Sequence, residues 1–153
     1  MKKFCIYLAF GLCVTGAYAA GGHDTIADIY FRFDKSDITP VASVVLENVA
    51  ARVEHPKCVS VRVVGHTCAL GKKGYNDRLG LKRAKSVKAA LVRMGFNPDN
   101  IQVETVGSRE PIAKYDRAGS RTEKNHIRNR VAEIYLLPRT TSWWQEFNCK
   151  RGL

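Results

Sequence analysis

The sequence predicts an α/β (α+β) fold: a two-layer β-α-β-α-β-β sandwich in which helices cover one face of a mixed sheet. Three observations predict this class. Short stretches rich in β-branched and aromatic residues alternate with longer stretches whose apolar residues recur at helical spacing. The order along the chain is strand, helix, strand, helix, strand, strand. With 45% hydrophobic and 25% charged residues, the 153-residue chain also has enough apolar material for one core.

The first strand and the first helix are predicted from the residues that follow the N-terminus. Residues 29–33 alternate apolar and polar side chains, which is typical of a strand. Thr39 before Pro40 predicts the N-cap and the first position of a helix. This helix is expected to end near His55 and Pro56. Its apolar residues recur at helical spacing: Val45, Leu46, Val49, Ala50 and Val53.

The middle of the chain predicts a second strand and a longer second helix. Residues 59–64 give the clearest strand signal, and a glycine-containing loop follows them. The helix is expected to begin near Tyr75, with Gly95 as its C-terminal capping residue. One apolar stripe runs along it: Leu81, Ala84, Val87, Leu91 and Met94.

The last third of the chain predicts two strands separated by a polar segment. Residues 101–106 form the third strand and residues 130–137 the fourth, which ends before Pro138. Residues 107–125 are long for a loop, so they are expected to hold a short helix or a functional surface.

The N-terminus has the pattern of a secretory signal peptide. Two lysines precede an apolar run over residues 4–14, and Ala17 and Ala19 form a cleavage site before Ala20. A transmembrane anchor is the alternative, but the run is shorter than the ~20 residues that span a bilayer. A lipid anchor at Cys13 is rejected because Leu12 precedes it.

Four segments follow from these boundaries. Residues 1–19 form the signal peptide, 20–28 an N-terminal segment, 29–138 the folded domain and 139–153 a tail. The tail carries Trp143 and Trp144, which are expected either to form a docking patch or to cover a sheet edge.

The charge of the chain points to an anionic environment. There are 25 Lys and Arg against 14 Asp and Glu, a formal net charge of +11 that falls to +9 when the signal peptide is removed. Nucleic acid, a membrane surface and an anionic envelope polymer are the partner classes that such a surplus suggests. Export argues against nucleic acid, so the surplus indicates general attraction to an anionic envelope, or solubility.

A candidate binding site lies where the second helix begins. Asn76, Leu79 and Arg83 share one helix face, and the loop before them follows the carboxyl end of a strand, where ligands gather in α/β sheets. Free backbone N–H groups, an amide and a guanidinium suit a small carboxylate. The alternative is that Arg83 is one of many solvated basic residues on this helix.

Several short blocks add a motif pattern to this site. In chain order they are Phe33-Asp34-Lys35-Ser36, Gly65-His66-Thr67, Tyr75-Asn76 with Leu79, Arg83-Ala84 with Ser86-Val87 and Leu91, Gly107-Ser108 with Pro111-Ile112-Ala113, and Asn129-Arg130 with Glu133-Ile134. Their order resembles the family of OmpA-like peptidoglycan-binding domains, and the resemblance covers residues 29–137. It implies a non-enzymatic module that binds the free end of diaminopimelate in peptidoglycan stem peptides.

The resemblance also assigns ligand-binding residues. Arg83 is implied to grip the ligand carboxylate, with Asn76 and Arg130 assisting, and Leu79 belongs to the same motif. Cys68 stands where the family has the Asp that meets the ligand ammonium, and Val131 replaces a second Arg. Loss of one charge-assisted contact costs about 1.5–3 kcal/mol, so affinity is expected to fall about ten- to a hundredfold.

Two rescues of the missing carboxylate are considered. Asp34 either faces the ligand ammonium or acts as a loop or cap residue. Cys68 itself, near a helix N-terminus and cations, is the other source of negative charge.

Three cysteines remain in the mature chain, and an oxidising compartment favours a disulfide. Cys58 and Cys68 lie at opposite ends of a strand, ten residues apart at ~3.3 Å per residue, too far for a bond. The sequence therefore predicts a Cys58–Cys149 disulfide that leaves Cys68 free and holds the tail on the domain.

Enzymatic and metal-binding functions are not expected. Cys68 with His66 lacks an evident third residue for catalysis, and the four histidines show no ligand spacing, so no cofactor or metal is predicted. The predicted partners are peptidoglycan and the envelope proteins of a larger assembly, without nucleic acid and without a transmembrane span after cleavage. We expect a periplasmic module, associated with the outer membrane or cell wall, of a secretion or motility machine. The rival hypothesis is a structural subunit of such a machine that has lost the ligand.

Overall fold

A computed structural model of the chain describes residues 25–114 and 123–137. Single-turn 3-10 helices lie at Pro56–Cys58 and Pro98–Asn100. The main elements in chain order are β1 (Thr25–Tyr30), α1 (Pro40–Ala51), β2 (Val61–His66), α2 (Lys73–Arg93), β3 (Ile101–Gly107), α3 (Glu123–Asn129) and β4 (Val131–Leu136).

The four strands form one mixed sheet in the order β1-β4-β2-β3. Strand β4 runs antiparallel to both of its neighbours, whereas β2 and β3 are parallel. A parallel pair needs a long crossover, which α2 supplies by packing on β2 and β3. The predicted mixed sheet is confirmed.

The core lies between one face of this sheet and helices α1 and α2. Alternate strand residues point into it, among them Val63 and its register partner Ile134. The helices contribute Leu46, Val87 and Leu91, all fully buried. Burying side chains of this size contributes about 1.5–3 kcal/mol each, so this apolar layer holds the two long helices on the sheet. The predicted two-layer arrangement is confirmed.

The element boundaries differ from the predicted ones in ways that matter for the site. Strand β1 begins at Thr25, four residues before the predicted domain boundary, and ends at Tyr30. Residues 32–37 leave the sheet as a turn in which Asp34 has φ 58°. The predicted first strand over residues 29–33 is confirmed at residues 29–30 and wrong at 31–33, because the alternation of apolar and polar side chains continues beyond the end of β1.

The other elements also shift by a few residues. Helix α1 ends at Ala51 rather than near His55, α2 begins at Lys73 rather than Tyr75, and β2 extends to His66. The predicted β-α-β-α-β-β order did not include helix α3, although a short helix was one of the two alternatives for residues 107–125. Polar residues fill α3, so it lacks the apolar stripe by which helices are found in sequence.

The predicted N-cap of α1 is confirmed, and the predicted C-terminal glycine of α2 lies one residue after the C-cap. The Thr39 hydroxyl accepts a hydrogen bond from the Ala42 N–H at 3.2 Å, with Pro40 at the first helical position. At the end of α2, Met94 is the C-cap and Gly95 follows it with φ 96°, a left-handed conformation that glycine adopts without strain.

Glycines let α2 lie directly against β2. A Cβ on Gly65 would overlap the carbonyl group of Gly80, so the two backbones touch where strand and helix cross. The Thr105 hydroxyl donates to the Gly65 carbonyl at 3.0 Å from the neighbouring strand. This close approach fixes the end of β2 against the first turns of α2, which is where the candidate site lies.

Several predictions concern parts of the chain beyond these residues. The signal peptide, Cys149 and the Trp143-Trp144 tail lie outside the described residues. Within 25–114 and 123–137, no helix combines the length and apolarity needed to cross a membrane.

Candidate functional site

A pocket opens beyond the carboxyl end of β2, between the first turns of α2, the turn after β1 and the start of β4. All six residues predicted as ligand-binding line it: Asp34, Cys68, Asn76, Leu79, Arg83 and Arg130. Phe33, Thr67, Leu70 and Tyr75 complete the lining. The structure thus brings together residues from four separate parts of the chain, while their role toward a ligand stays a prediction.

Arg83 is the most buried charged group of the pocket, with 1% of its surface exposed. Its Nε donates to the Lys35 carbonyl at 2.9 Å and its Nη1 to the His66 carbonyl at 2.9 Å. Its Nη2 donates to the Arg32 carbonyl at 3.3 Å. These three carbonyls hold the guanidinium in one orientation and leave two of its five N–H donors for other partners. The alternative that Arg83 is a solvated surface residue was wrong.

The charge of Arg83 has no close counter-ion in the part of the chain that the structure describes. None of the ion pairs among the described residues involves its guanidinium, which lies 5.2 Å above the ring of Phe31. Burial lowers the pKa of Arg83 to about 10, and the positive charge of Arg130 acts in the same direction. Arg83 remains charged at neutral pH, so the pocket carries a buried cation that no described residue pairs with directly.

Two neutral polar side chains lie beside it. The Asn76 amide donates to the Cys68 carbonyl and to the Ser108 hydroxyl, both at 3.3 Å. The Thr67 hydroxyl is buried and has no hydrogen-bond partner among the described residues, although the Thr67 N–H donates to the Gly107 carbonyl at 2.8 Å. Buried hydroxyl groups are almost always paired, so the Thr67 hydroxyl is available to a ligand or a water molecule.

The two described cysteines differ in state. Cys68 is a free, buried thiol on the pocket wall, whereas Cys58 at the far end of β2 is disulfide-bonded. The bonding partner of Cys58 lies outside the described residues, so its pairing with Cys149 stays a prediction.

Asp34 and Tyr75 meet at the mouth of the pocket. The Tyr75 hydroxyl donates a hydrogen bond to the Asp34 carboxylate, which raises the pKa of Tyr75. Both side chains are exposed, and Asp34 holds the left-handed φ of 58° that non-glycine residues rarely adopt. The Asp34 carboxylate lies on the pocket lining, where its negative charge partly opposes the lowering of the Arg83 pKa by burial.

Arg130 enters from the opposite side and has a counter-ion. Its Nη1 and Nη2 donate to the same oxygen, Glu123 Oε1, at 3.1 and 3.0 Å. Its Nε is buried without a partner among the described residues. The Arg130 carbonyl also accepts the N–H of Phe31 at 2.8 Å, which ties the start of β4 to the turn after β1.

His66 faces away from the pocket and does not form a catalytic pair with Cys68. Its Nδ1 lies 3.0 Å from the Glu110 carbonyl and its Nε2 2.8 Å from Glu133 Oε2. Both ring nitrogens therefore lie against acceptor oxygens on the face of the sheet opposite α1 and α2, which we call the helix-free face. The hydrogen bond from His66 holds the pKa of Glu133 below its usual range.

Three residues that contribute to the site were missed as such in the sequence. Thr67 and Asn129 stood in the recognised blocks without a role, and Glu123 had no signal at all. Asn129 is fully buried, and its amide both accepts from the Ala113 N–H at 2.7 Å and donates to the Ala113 carbonyl at 3.0 Å. Because Asn129 directly precedes Arg130, these two hydrogen bonds connect the loop after β3 to the segment that carries Arg130.

The geometry offers a ligand anion the N–H groups of two guanidinium groups and the Thr67 hydroxyl, since both N–H groups of the Asn76 amide already have acceptors. A metal ion finds no comparable set, since no cluster of three or more His, Cys, Asp or Glu side chains suited to a metal occurs in 25–114 and 123–137.

Comparison with known proteins identifies the family of the chain and proteins of similar fold. The OmpA family matches residues 30–125. The chain is 36% identical over 111 residues to outer membrane protein A of Bordetella avium, which covers 72% of the chain and 55% of that protein. The chain therefore spans about half the length of this relative.

Solved structures share the fold. The peptidoglycan-associated lipoprotein from Burkholderia pseudomallei superposes with a TM-score of 0.62 at 25% identity, covering 72% of this chain and 89% of that one. The C-terminal domain of Helicobacter pylori MotB gives a TM-score of 0.64 at 22% identity, covering 83% and 96%. Domains of this kind are non-catalytic, as the sequence predicted. The chain belongs to the OmpA family.

Proposed function

We propose that this chain is a non-catalytic cell-wall-binding module of the periplasm that recognises the free end of diaminopimelate in peptidoglycan stem peptides. The observation that carries the proposal is the buried guanidinium of Arg83, which lines the pocket without a close counter-ion among the described residues. A buried charge is costly unless it is paired, so a ligand carboxylate stabilises this pocket as well as being held by it. Relatives named for the outer membrane and for association with peptidoglycan support this assignment.

The pocket supplies separate partners for the two charges of the ligand. A carboxylate can accept from the free N–H groups of Arg83 and from the Thr67 hydroxyl. The ligand ammonium would meet Asp34, the only carboxylate on the described lining. Cys68 offers no carboxylate at the family's Asp position, and we therefore expect affinity about ten- to a hundredfold lower than with an Asp there.

Retention on purified peptidoglycan sacculi tests this function. Wild-type protein should be retained, and Arg83→Ala should be lost because it removes the carboxylate partner. Arg93→Ala is the matched control, since Arg93 is an exposed arginine near the end of the same helix. Far-UV circular dichroism checks that each variant is folded. Equal retention of wild type and Arg83→Ala, or retention of neither, contradicts the proposal.

A second candidate function is a protein-interaction module that has lost the ligand. Cys68 and Val131 depart from the family motif, and an apolar groove runs along the edge strand β1 beside the pocket. Its exposed apolar side chains include Tyr30, Val41 and Ile127. Titration with meso-diaminopimelate separates the two functions: such a module should show no chemical-shift changes around Arg83, while the binding module should show them there.

Processing and assembly complete the proposal. We place signal-peptide cleavage after Ala19, the Cys58–Cys149 disulfide in the mature chain, and the module within a secretion or motility assembly of the envelope. Mass spectrometry of the non-reduced protein tests the pairing: a peptide that links Cys68 to either cysteine contradicts it.

A further inference from the structure

Four charged groups define the electrostatics of the pocket. Arg83 and Arg130 line it as cations, and Asp34 lines it as an anion. Glu123 reaches Arg130 from α3 and pairs with it at 3.0 Å. Without Glu123 these groups carry a surplus of one positive charge, and with it they are balanced.

The contact between Glu123 and Arg130 is asymmetric. The Arg130 side chain is 8% exposed, whereas the Glu123 side chain is 70% exposed. Both terminal nitrogens of Arg130 point to one Glu123 oxygen, and the buried Nε has no partner among the described residues. Glu123 therefore neutralises Arg130 from outside while the edge of the guanidinium that carries Nε stays available.

A balanced pocket and a cationic pocket favour different ligands. The free end of diaminopimelate is a zwitterion with no net charge, so it gains little from a surplus positive charge. A simple carboxylate carries a net negative charge and gains from every uncompensated cation nearby, more so in a buried site than in water.

We propose that Glu123 is a specificity-determining residue of this pocket: by pairing with Arg130 it balances the pocket charge and so favours a zwitterionic end over a simple carboxylate. The proposal rests on the proposed ligand function. Glu123 makes no direct contact with the ligand in this proposal. An ion pair with an exposed partner contributes little to stability, so a role in selecting the ligand is distinct from a structural one.

Diaminopimelate and pimelate provide a matched pair of probes, because pimelate is the same dicarboxylic acid without the two amino groups. We would measure both dissociation constants by NMR titration for the wild type and for Glu123→Gln. The wild type should prefer meso-diaminopimelate. In Glu123→Gln the preference should fall by about three- to tenfold, through tighter binding of pimelate and with a steeper dependence on salt.

The control removes one negative charge elsewhere. Glu104→Gln breaks the Arg62–Glu104 pair, which lies outside the pocket lining, and should leave the preference unchanged. Thermal unfolding checks that both variants are folded.

The outcomes separate the two proposals. If the wild type binds neither probe, the ligand function fails and this inference falls with it. If both probes bind and Glu123→Gln leaves the preference unchanged, or weakens both probes equally, Glu123 is only a structural partner of Arg130 and the inference alone is overturned.

Discussion

An arginine in the pocket and an arginine on the helix-free face of the sheet have opposite environments. On the helix-free face, Arg62 is 29% exposed, pairs with Glu104 at 3.8 Å and lies 4.8 Å above the ring of Tyr135. In the pocket, Arg83 is 1% exposed and has backbone carbonyls as its hydrogen-bond acceptors. Arg62 therefore has a carboxylate and an aromatic ring beside its charge, although its Nε has no hydrogen-bond partner among the described residues. The buried charge of Arg83 has no close counter-ion among those residues, and on this difference we base the proposed anion site.

His66 links the two regions. Its carbonyl accepts a hydrogen bond from Arg83, while its ring contacts Glu133, which also accepts from the Tyr135 hydroxyl at 2.8 Å. On the helix-free face, Arg62 and Glu133 thus have side-chain partners, whereas the charge of Arg83 in the pocket has no close counter-ion among the described residues. We expect substitutions in the pocket to change ligand binding, and substitutions on the helix-free face to change stability.

The largest expected effect comes from substitution of Arg83. Arg83→Lys should weaken binding of meso-diaminopimelate about a hundredfold, because an ammonium cannot keep the three carbonyl bonds and also grip a carboxylate with two donors. Arg62→Lys is the matched change on the helix-free face and should leave binding unaltered. NMR titration measures both, and similar losses in the two variants would remove the distinction between the regions.

Cys68→Asp should strengthen binding about tenfold or more. The substitution places a carboxylate on the pocket wall, where it can pair with the ligand ammonium, and a charge-assisted hydrogen bond is worth about 1.5–3 kcal/mol. Cys68→Ala should leave affinity near that of the wild type. Isothermal titration calorimetry compares them, and equal affinities of the Asp and Ala variants would show that the ammonium lies elsewhere.

Acid should weaken the helix-free face through Glu133. The pKa of Glu133 is below its usual 4.5 because of the hydrogen bond from His66. The unfolded chain therefore takes up this proton first, so the contribution of Glu133 is complete above about pH 4.5 and is lost as the pH falls through the folded-state pKa. In urea unfolding, Glu133→Gln should be less stable than the wild type near pH 7 and approach it in acid.

Asp28 supplies a control of opposite sign on the same face. Burial, together with the charge of Glu133, raises the pKa of Asp28 above its usual 3.8. Its contribution is therefore favourable at low pH and is lost as the pH rises through the raised pKa. Asp28→Asn should gain stability relative to the wild type as the pH rises. Curves that stay parallel from pH 3 to 7 for both variants would contradict this account.

The smallest effect is expected from Tyr135→Phe. It removes the hydroxyl that donates to Glu133, a loss of about 0.5–1.5 kcal/mol in the free energy of unfolding, and leaves ligand binding unchanged. Tyr30→Phe is a weaker counterpart, because the Tyr30 hydroxyl lies 3.4 Å from Asp28 and is exposed. Urea unfolding ranks the two, and a loss of binding in Tyr135→Phe would mean that the face and the pocket are coupled.

Local patterns predicted much of the fold. Alternating and helical periods located β2, α2 and β3 within a few residues, and Thr39-Pro40 located the start of α1. The turn over residues 32–37 and the helix α3 were not located, because neither has apolar residues at a regular spacing of its own. Both are held by long-range contacts: the turn by Arg83, and the end of α3 by the pairing of Asn129 with Ala113.

The amino-acid sequence by itself determined the family, the mixed sheet and the chemical types present in the pocket, because motif residues and periods are local properties of the chain. The tertiary structure alone decided that Arg83 is buried among carbonyls, that the Thr67 hydroxyl has no partner among the described residues and that Glu123 neutralises Arg130. Burial and charge pairing depend on which distant segments meet in space. The charge balance of this pocket becomes visible only when the turn after β1, the first turns of α2 and the start of β4 stand together.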